Sequence, residues 1–105
     1  MELETIKGLK IVHLNIRSLR YKINNLRTWV TQHKPNIITV SETWLYELIS
    51  DASMKIDNYV LYRADRDQYG GGLATYVDST LISERLTPGI APINFECLFY
   101  KHYVS

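Results

Sequence analysis

The chain has 105 residues, which is enough for one domain at most. Its hydrophobic content of 46% and charged content of 22% are typical of a globular protein and exclude an intrinsically disordered one. The net charge of +1 does not by itself indicate any class of partner.

Signals for membranes and secretion are also missing from the sequence. No apolar run approaches the roughly 18 residues that a membrane-spanning helix needs, so no membrane association is expected. The amino terminus carries no basic region ahead of an apolar stretch, which argues against a secretory signal. The single cysteine, Cys97, excludes an internal disulfide and agrees with a reducing compartment. We therefore expect an intracellular protein, in either the nucleus or the cytoplasm.

The first predicted elements form a strand–helix–strand unit. The first strand covers residues 9–16 and is apolar on both faces, which is typical of a central strand. A helix should follow, because Ser18 is a suitable N-cap and apolar residues recur at helical spacing. These apolar residues are Leu19, Ile23, Leu26 and Val30. Lys34-Pro35 ends the helix, and a β-branched strand starting at residue 37 then leads to Glu42.

The rest of the chain reads as antiparallel strands joined by loops. Residues 43–57 are irregular, with one helical turn predicted at residues 47–50. Further strands are predicted at residues 59–62, 73–77, 81–86 and 93–103. A strand–helix–strand unit followed by antiparallel strands makes the fold class α+β.

Asn15 and Glu42 stand at the ends of the two apolar strands of the unit. The strands of such a unit are parallel, so both residues should reach the carboxyl edge of the sheet, where α/β folds commonly bind ligands and metals. An amide oxygen beside a carboxylate is the start of a site for a hard cation. Taken singly, an Asn in this position is usually a turn former and such a Glu is usually only exposed.

Residues 16–41 contain no Asp or Glu but several basic residues. These are Arg17, Arg20, Lys22, Arg27 and Lys34. The commoner explanation of this pattern is a solvated helix face. The alternative is a positive surface beside the Asn15/Glu42 edge, suited to a phosphate backbone.

Three segments in order resemble the endonuclease/exonuclease/phosphatase superfamily. They are LNIRSL at residues 14–19, SETWL at residues 41–45 and YRADRDQYGGGLATYV at residues 62–77. Their spacing is most similar to the amino-terminal half of the apurinic-type endonuclease domain of LINE (non-long-terminal-repeat) retrotransposons. The resemblance implies that residues 1–105 form a truncated domain of this kind, an incomplete four-layer α/β sandwich.

The same resemblance implies Mg²⁺-dependent hydrolysis of a phosphodiester, with DNA as the partner of the complete domain. Asn15 and Glu42 match the family's catalytic and metal-binding asparagine and glutamate. Arg17 lies two residues past Asn15, where apurinic endonucleases often carry Asp, so we transfer no catalytic role to it. Arg17 and Arg20 are instead candidates for nucleic-acid contacts.

The remaining motif residues are expected to support the site. Gly70, Gly71 and Gly72 lack the Lys-Ser/Thr ending of a P-loop, and we interpret them as a place where backbones approach closely. Trp44 is expected to pack beneath Glu42. The charged residues of the third segment should pair with one another or brace the loop; they are Arg63, Asp65 and Arg66.

Two later motifs of the family are missing from this chain. It has no Asp-any-Asn triplet and no Ser-Asp-His sequence, which in the family complete the site. We therefore expect a nuclease fragment that is inactive alone, completed by a carboxyl-terminal half or another chain. The alternatives are a non-catalytic nucleic-acid-binding remnant and, ranked last, a phosphatase of the same superfamily.

Overall fold

The computed structural model describes residues 9–81 and the backbone of residues 2–6. Within these residues the elements are β1 (Glu2–Ile6), β2 (Leu9–Asn15), α1 (Leu19–His33), β3 (Ile37–Ser41), a 3₁₀ turn (Ala52–Met54), β4 (Tyr59–Ala64) and β5 (Leu73–Asp78). The strand predicted at 93–103, and all but the first residue of the one predicted at 81–86, lie outside the described residues.

The described strands form one five-stranded sheet in the order β1-β2-β3-β5-β4. Only β2 and β3 pair in parallel, because α1 carries the chain back to the same end of the sheet. The other three pairings, β1 with β2, β3 with β5 and β4 with β5, are antiparallel. This topology confirms the predicted α+β class, one strand–helix–strand unit followed by antiparallel strands, and it fits part of an α/β sandwich.

Helix α1 packs on one face of the sheet through the predicted apolar stripe. Leu19, Ile23, Leu26 and Val30 are all buried. They share one core with the alternate strand residues that face the helix, namely Val12, Leu14, Ile38, Val40, Ala74 and Tyr76. The helix ends as predicted, since Lys34 adopts a left-handed conformation, donates its N–H to the Val30 carbonyl at 2.8 Å, and precedes Pro35. In the described part of the chain, no helix is both long and apolar enough to cross a membrane.

The opposite face of the sheet is part apolar and part polar. Ile11, Ile37 and Val77 form a second buried cluster, at the end of the sheet away from Asn15. Thr39, two residues after Ile37 on β3 and closer to the Asn15 edge, pairs with Thr75 on β5, and both threonines are buried.

Three local predictions need correction. Ser18 precedes α1 but makes no capping bond with its side chain, because its backbone is left-handed (φ 60°) and the Leu19 N–H donates to the Thr43 carbonyl instead. The helical turn lies at Ala52–Met54 rather than at residues 47–50, where a single turn closes through Ile49 N–H and the Tyr46 carbonyl. Strand β1 was not predicted, and it pairs antiparallel with β2, with Ile6 opposite Leu9 and Glu2 opposite His13.

Candidate functional site

Asn15 and Glu42 lie at the same edge of the sheet. Asn15 pairs with Ser41 in the parallel register of β2 and β3, and Glu42 is the next residue along β3. The two strands stay joined just past this pair, since the Ile16 N–H donates to the Ser41 carbonyl at 3.0 Å. The predicted geometry of the edge is therefore present.

The Glu42 carboxylate is fixed through one of its two oxygens. The Trp44 indole N–H donates to Oε2 at 2.9 Å, and the Gly71 backbone N–H donates to the same atom at 2.8 Å. No hydrogen bond from the described residues reaches Oε1. Glu42 is half-buried, so this second oxygen is the one in a position to meet a ligand from solution.

An unusual backbone turn brings Trp44 into position. Glu42 and Trp44 both have left-handed conformations, with φ of 57° and 56°, on either side of the fully buried Thr43. Such conformations cost about 1–3 kcal/mol each in non-glycine residues, and they cluster at functional sites. Here they fold the chain back so that Trp44, two residues past Glu42, reaches its carboxylate.

The glycine run packs against this turn, as the sequence predicted. The Thr43 and Trp44 N–H groups donate to the carbonyls of Gly72 and Gly71, at 3.3 and 3.0 Å. A Cβ on Gly72 would lie 2.4 Å from the Thr43 hydroxyl oxygen, a distance that no side chain tolerates, and φ there is +93°. Close approach is thus what requires glycine in this strand connection.

These contacts set the charge state of Glu42. The hydrogen bond from Trp44, followed by that from Gly71, lowers the pKa of the carboxyl below its usual value. The positive charges of Arg17 and Arg66 lower it further. These contacts thus favour the anionic form of Glu42, the form that a cation ligand must have.

The two predicted nucleic-acid contacts differ in their surroundings. Arg17 is exposed and, among the described residues, forms no ion pair. Arg20 is held by two phenols, because its guanidinium donates to Tyr46 Oη at 3.0 Å and to Tyr21 Oη at 2.5 Å. It also lies 4.6 Å from the centre of the Tyr21 ring, a cation–π distance.

The charged residues of the third motif separate into two roles. Arg63 pairs with Asp65 at 2.7 Å, as predicted, and its side chain is only 12% exposed. Arg66 does not join this pair, since its one ion pair within the described region is with Asp67, at 3.9 Å. The predicted pairing is thus confirmed for Arg63 and Asp65 and does not extend to Arg66. The Arg66 stem lies against Gly71 of the glycine run.

The donor set for a cation is partial. No group of three or more His, Cys, Asp or Glu side chains comes together in the described part of the chain. Glu42 and the exposed Asn15 remain as the oxygen donors at this edge, and Mg²⁺ typically uses one or two carboxylates plus waters and substrate oxygens. The residues present thus fit one side of a magnesium site.

Sequence reasoning missed the way Glu42 is held. Trp44 was expected to pack beneath the carboxylate, whereas its indole N–H bonds to it directly. The glycine run signalled a close approach but not the role of the Gly71 N–H as a hydrogen-bond donor. A backbone donor carries no side-chain signal that a sequence could display.

Comparisons with known proteins bear on the fold. No protein-family model and no curated protein matches the chain. Among solved structures, an AP endonuclease from Archaeoglobus fulgidus matches with a TM-score of 0.59 and 23% identity, over 66% of this chain and 27% of that one. The AP endonuclease LMAP from Leishmania major matches with a TM-score of 0.56 and 22% identity, over 70% of this chain and 25% of that one.

The chain thus spans about a quarter of the length of the solved structures it matches. At this identity the likeness concerns the fold alone.

Proposed function

We propose that the chain is the amino-terminal half of a Mg²⁺-dependent endonuclease domain of the LINE retrotransposon type, which acts on DNA inside the cell and is inactive without its remaining part. The supporting observation is the parallel register of β2 and β3, in which Asn15 lies opposite Ser41, the residue before Glu42. The motif resemblance and the likeness of fold to AP endonucleases point in the same direction.

The chain's own residues would contribute binding and orientation. Glu42, held through Oε2, would hold the cation through Oε1, and the Asn15 amide would help to hold the cation or a phosphate oxygen. A magnesium ion held there would supply Lewis-acid polarisation of the phosphodiester. The exposed Arg17 would place a positive charge near the phosphate backbone of the DNA beside the cleaved bond.

A general base is the part that the described residues do not supply. The His13 Nδ1 is hydrogen-bonded to the Thr39 hydroxyl. His33, on α1, is hydrogen-bonded to the Trp29 carbonyl, and its ring stacks on the Trp29 indole. A correctly positioned general base typically increases the rate about 10²–10⁴-fold. Removal of one member of a group of catalytic residues that act together can lower the rate by more than that. The chain alone should therefore bind a cation weakly and fail to cleave.

The test combines cation binding with plasmid nicking. Titration with Mn²⁺, followed by the signal of the free ion in electron paramagnetic resonance, should show binding that Glu42→Gln weakens by about 10-fold or more. Glu47→Gln, the same change at an exposed carboxylate on the neighbouring loop, should leave it unchanged. Supercoiled plasmid with Mg²⁺ should remain intact.

Two results would contradict the proposal. Equal Mn²⁺ affinity in the unmutated protein and in Glu42→Gln would remove Glu42 from the site. Metal-dependent nicking that disappears in Glu42→Ala would show a working enzyme and defeat the statement that the chain is inactive alone.

A non-catalytic nucleic-acid-binding module is the second candidate. The basic segment favours it, although the described contacts assign part of that charge to structure: the Arg27 guanidinium donates to the Lys55 and Ser53 carbonyls. DNA binding without Mn²⁺ binding at Glu42 would favour this candidate over the first.

A further inference from the structure

Arg66 lies across Gly71, the glycine that holds Glu42. A Cβ built on Gly71 would come within 2.5 Å of Arg66 Cδ and 3.2 Å of its Cβ. The arginine stem therefore occupies the space that a side chain at residue 71 would need. The N–H of the same glycine donates to Glu42 Oε2 at 2.8 Å, so one residue positions both a carboxylate and an arginine.

The guanidinium of Arg66 is left open to solution. Its side chain is 73% exposed, and its one ion pair in the described region spans 3.9 Å, to an Asp67 carboxylate that is itself 52% exposed. An exposed pair at that distance contributes almost nothing, so it does not compete with a ligand. Arg63 makes the contrast, because its guanidinium bonds to Asp51, Asp65 and two backbone carbonyls.

Glu42 does not neutralise Arg66 either. The carboxylate is satisfied by Trp44 and Gly71, and no described arginine forms an ion pair with it. The charges of Arg66 and Arg17 nonetheless reach Glu42, since both lower the pKa of its carboxyl after the two hydrogen bonds. Both positive charges thus act on the same anionic side chain.

This arrangement suits a phosphate. A guanidinium is planar, permanently charged and able to donate two parallel hydrogen bonds to phosphate oxygens. Contacts to phosphate and sugar make up half or more of protein–DNA hydrogen bonds, and arginine is a frequent donor. We propose that Arg66, lying over Gly71 beside Glu42, binds a backbone phosphate of the nucleic acid.

The inference deepens the proposed function, because it identifies the anion as a phosphodiester group of nucleic acid. Its test uses no metal, so failure of cation binding at Glu42 would leave the result intact. A short fluorescent DNA duplex is titrated with the whole chain in the presence of a chelator, over a series of salt concentrations, and anisotropy reports binding.

Arg66→Gln removes the charge and keeps most of the stem. It should weaken duplex binding about 10-fold at low salt and reduce the slope of log affinity against log salt by about 1, the value for one lost phosphate contact. Arg66→Lys keeps the charge and should preserve the slope while losing part of the affinity. Lys55→Gln, at an exposed lysine near the other end of the sheet, should change neither quantity.

Three outcomes would overturn the proposal. One is unchanged affinity and slope in Arg66→Gln, which would leave DNA binding in place but remove Arg66 from it. Another is an equal loss in Lys55→Gln, which would indicate only a reduction of overall charge. The third is no salt-sensitive binding by the unmutated chain. Thermal melts of all variants should coincide with that of the unmutated chain, which shows that a change in affinity reflects binding and not loss of folding.

Discussion

Glu42 shows how a single carboxylate oxygen can be committed to structure while the other stays available. Both donors, the Trp44 indole and the Gly71 backbone, act on Oε2. Hydrogen bonds to the charged form favour ionisation, which is why the pKa of Glu42 is lowered. The position of the free oxygen then depends on a tryptophan two residues away, and this dependence can be measured.

Trp44→Phe keeps an aromatic ring and removes the indole donor. We expect the pKa of Glu42 to rise toward its usual value, as followed by the chemical shift of the side-chain carboxyl carbon in an NMR titration. Trp29→Phe changes the other tryptophan, which stacks on His33, and should leave the Glu42 titration unmoved. A Glu42 pKa that is the same in both variants would show that the indole bond has no influence.

The sign of the accompanying stability effect follows from linkage. Because the folded pKa of Glu42 lies below the unfolded one, its contribution to stability is present above the unfolded pKa and is lost as the pH falls through the folded value. Trp44→Phe should reduce the difference between the folded and the unfolded pKa of Glu42. The unmutated protein should therefore lose more stability than the variant when acidified across that window.

At the level of elements, the segment after Glu42 has little regular structure, and one side chain of the sheet makes several hydrogen bonds with it. Arg63, on β4, donates to the carbonyls of Tyr46 and Ile49 and to the carboxylates of Asp51 and Asp65. A loop without ladder hydrogen bonds has to satisfy its carbonyls in some other way, and a buried guanidinium offers five donors. Arg63 thus ties the segment that carries Trp44 to the sheet.

Arg63→Ala should lower the free energy of unfolding by about 2–3 kcal/mol, because several hydrogen bonds to a charged, largely buried group are lost together. Arg66→Ala, three residues on, removes a mostly exposed arginine and should cost about 0.5 kcal/mol or less. Urea denaturation of the two variants gives the comparison. Losses of equal size would mean that Arg63 does not brace the loop.

Helix α1 and the carboxyl edge of the sheet are the elements that the sequence predicts well. The stripe Leu19, Ile23, Leu26 and Val30 repeats at helical spacing, so α1 and its buried face followed directly from the order of residues. The carboxyl edge followed too, since a strand–helix–strand unit allows one parallel arrangement. What did not follow depends on distant contacts. The Thr43 carbonyl accepts the Leu19 N–H in place of a Ser18 cap, and the Arg63 guanidinium binds the Tyr46 and Ile49 carbonyls ahead of the 3₁₀ turn at Ala52–Met54.

At the scale of the whole molecule, the two faces of the sheet are built differently. The face under α1 holds the main apolar core, whereas the other carries the pair Thr39 and Thr75, each only 1% exposed. Thr39 accepts or donates a hydrogen bond with His13 Nδ1 at 2.6 Å. The Thr75 hydroxyl has no hydrogen-bond partner in the described part of the chain. The two paired threonines therefore differ in whether the hydroxyl is hydrogen-bonded. The same substitution at both positions measures the effect of that hydrogen bond on stability.

Thr75→Val replaces an unpartnered buried hydroxyl by a methyl group of similar size and should raise the free energy of unfolding by about 1 kcal/mol. Thr39→Val breaks a bond and should lower it by a similar amount, which denaturant titration of the isolated chain can resolve. If Thr75→Val instead destabilises as much as Thr39→Val, its hydroxyl is already satisfied in the isolated chain. If it stabilises, the Thr75 hydroxyl is unsatisfied in the isolated chain, in agreement with its lack of a partner among the described residues.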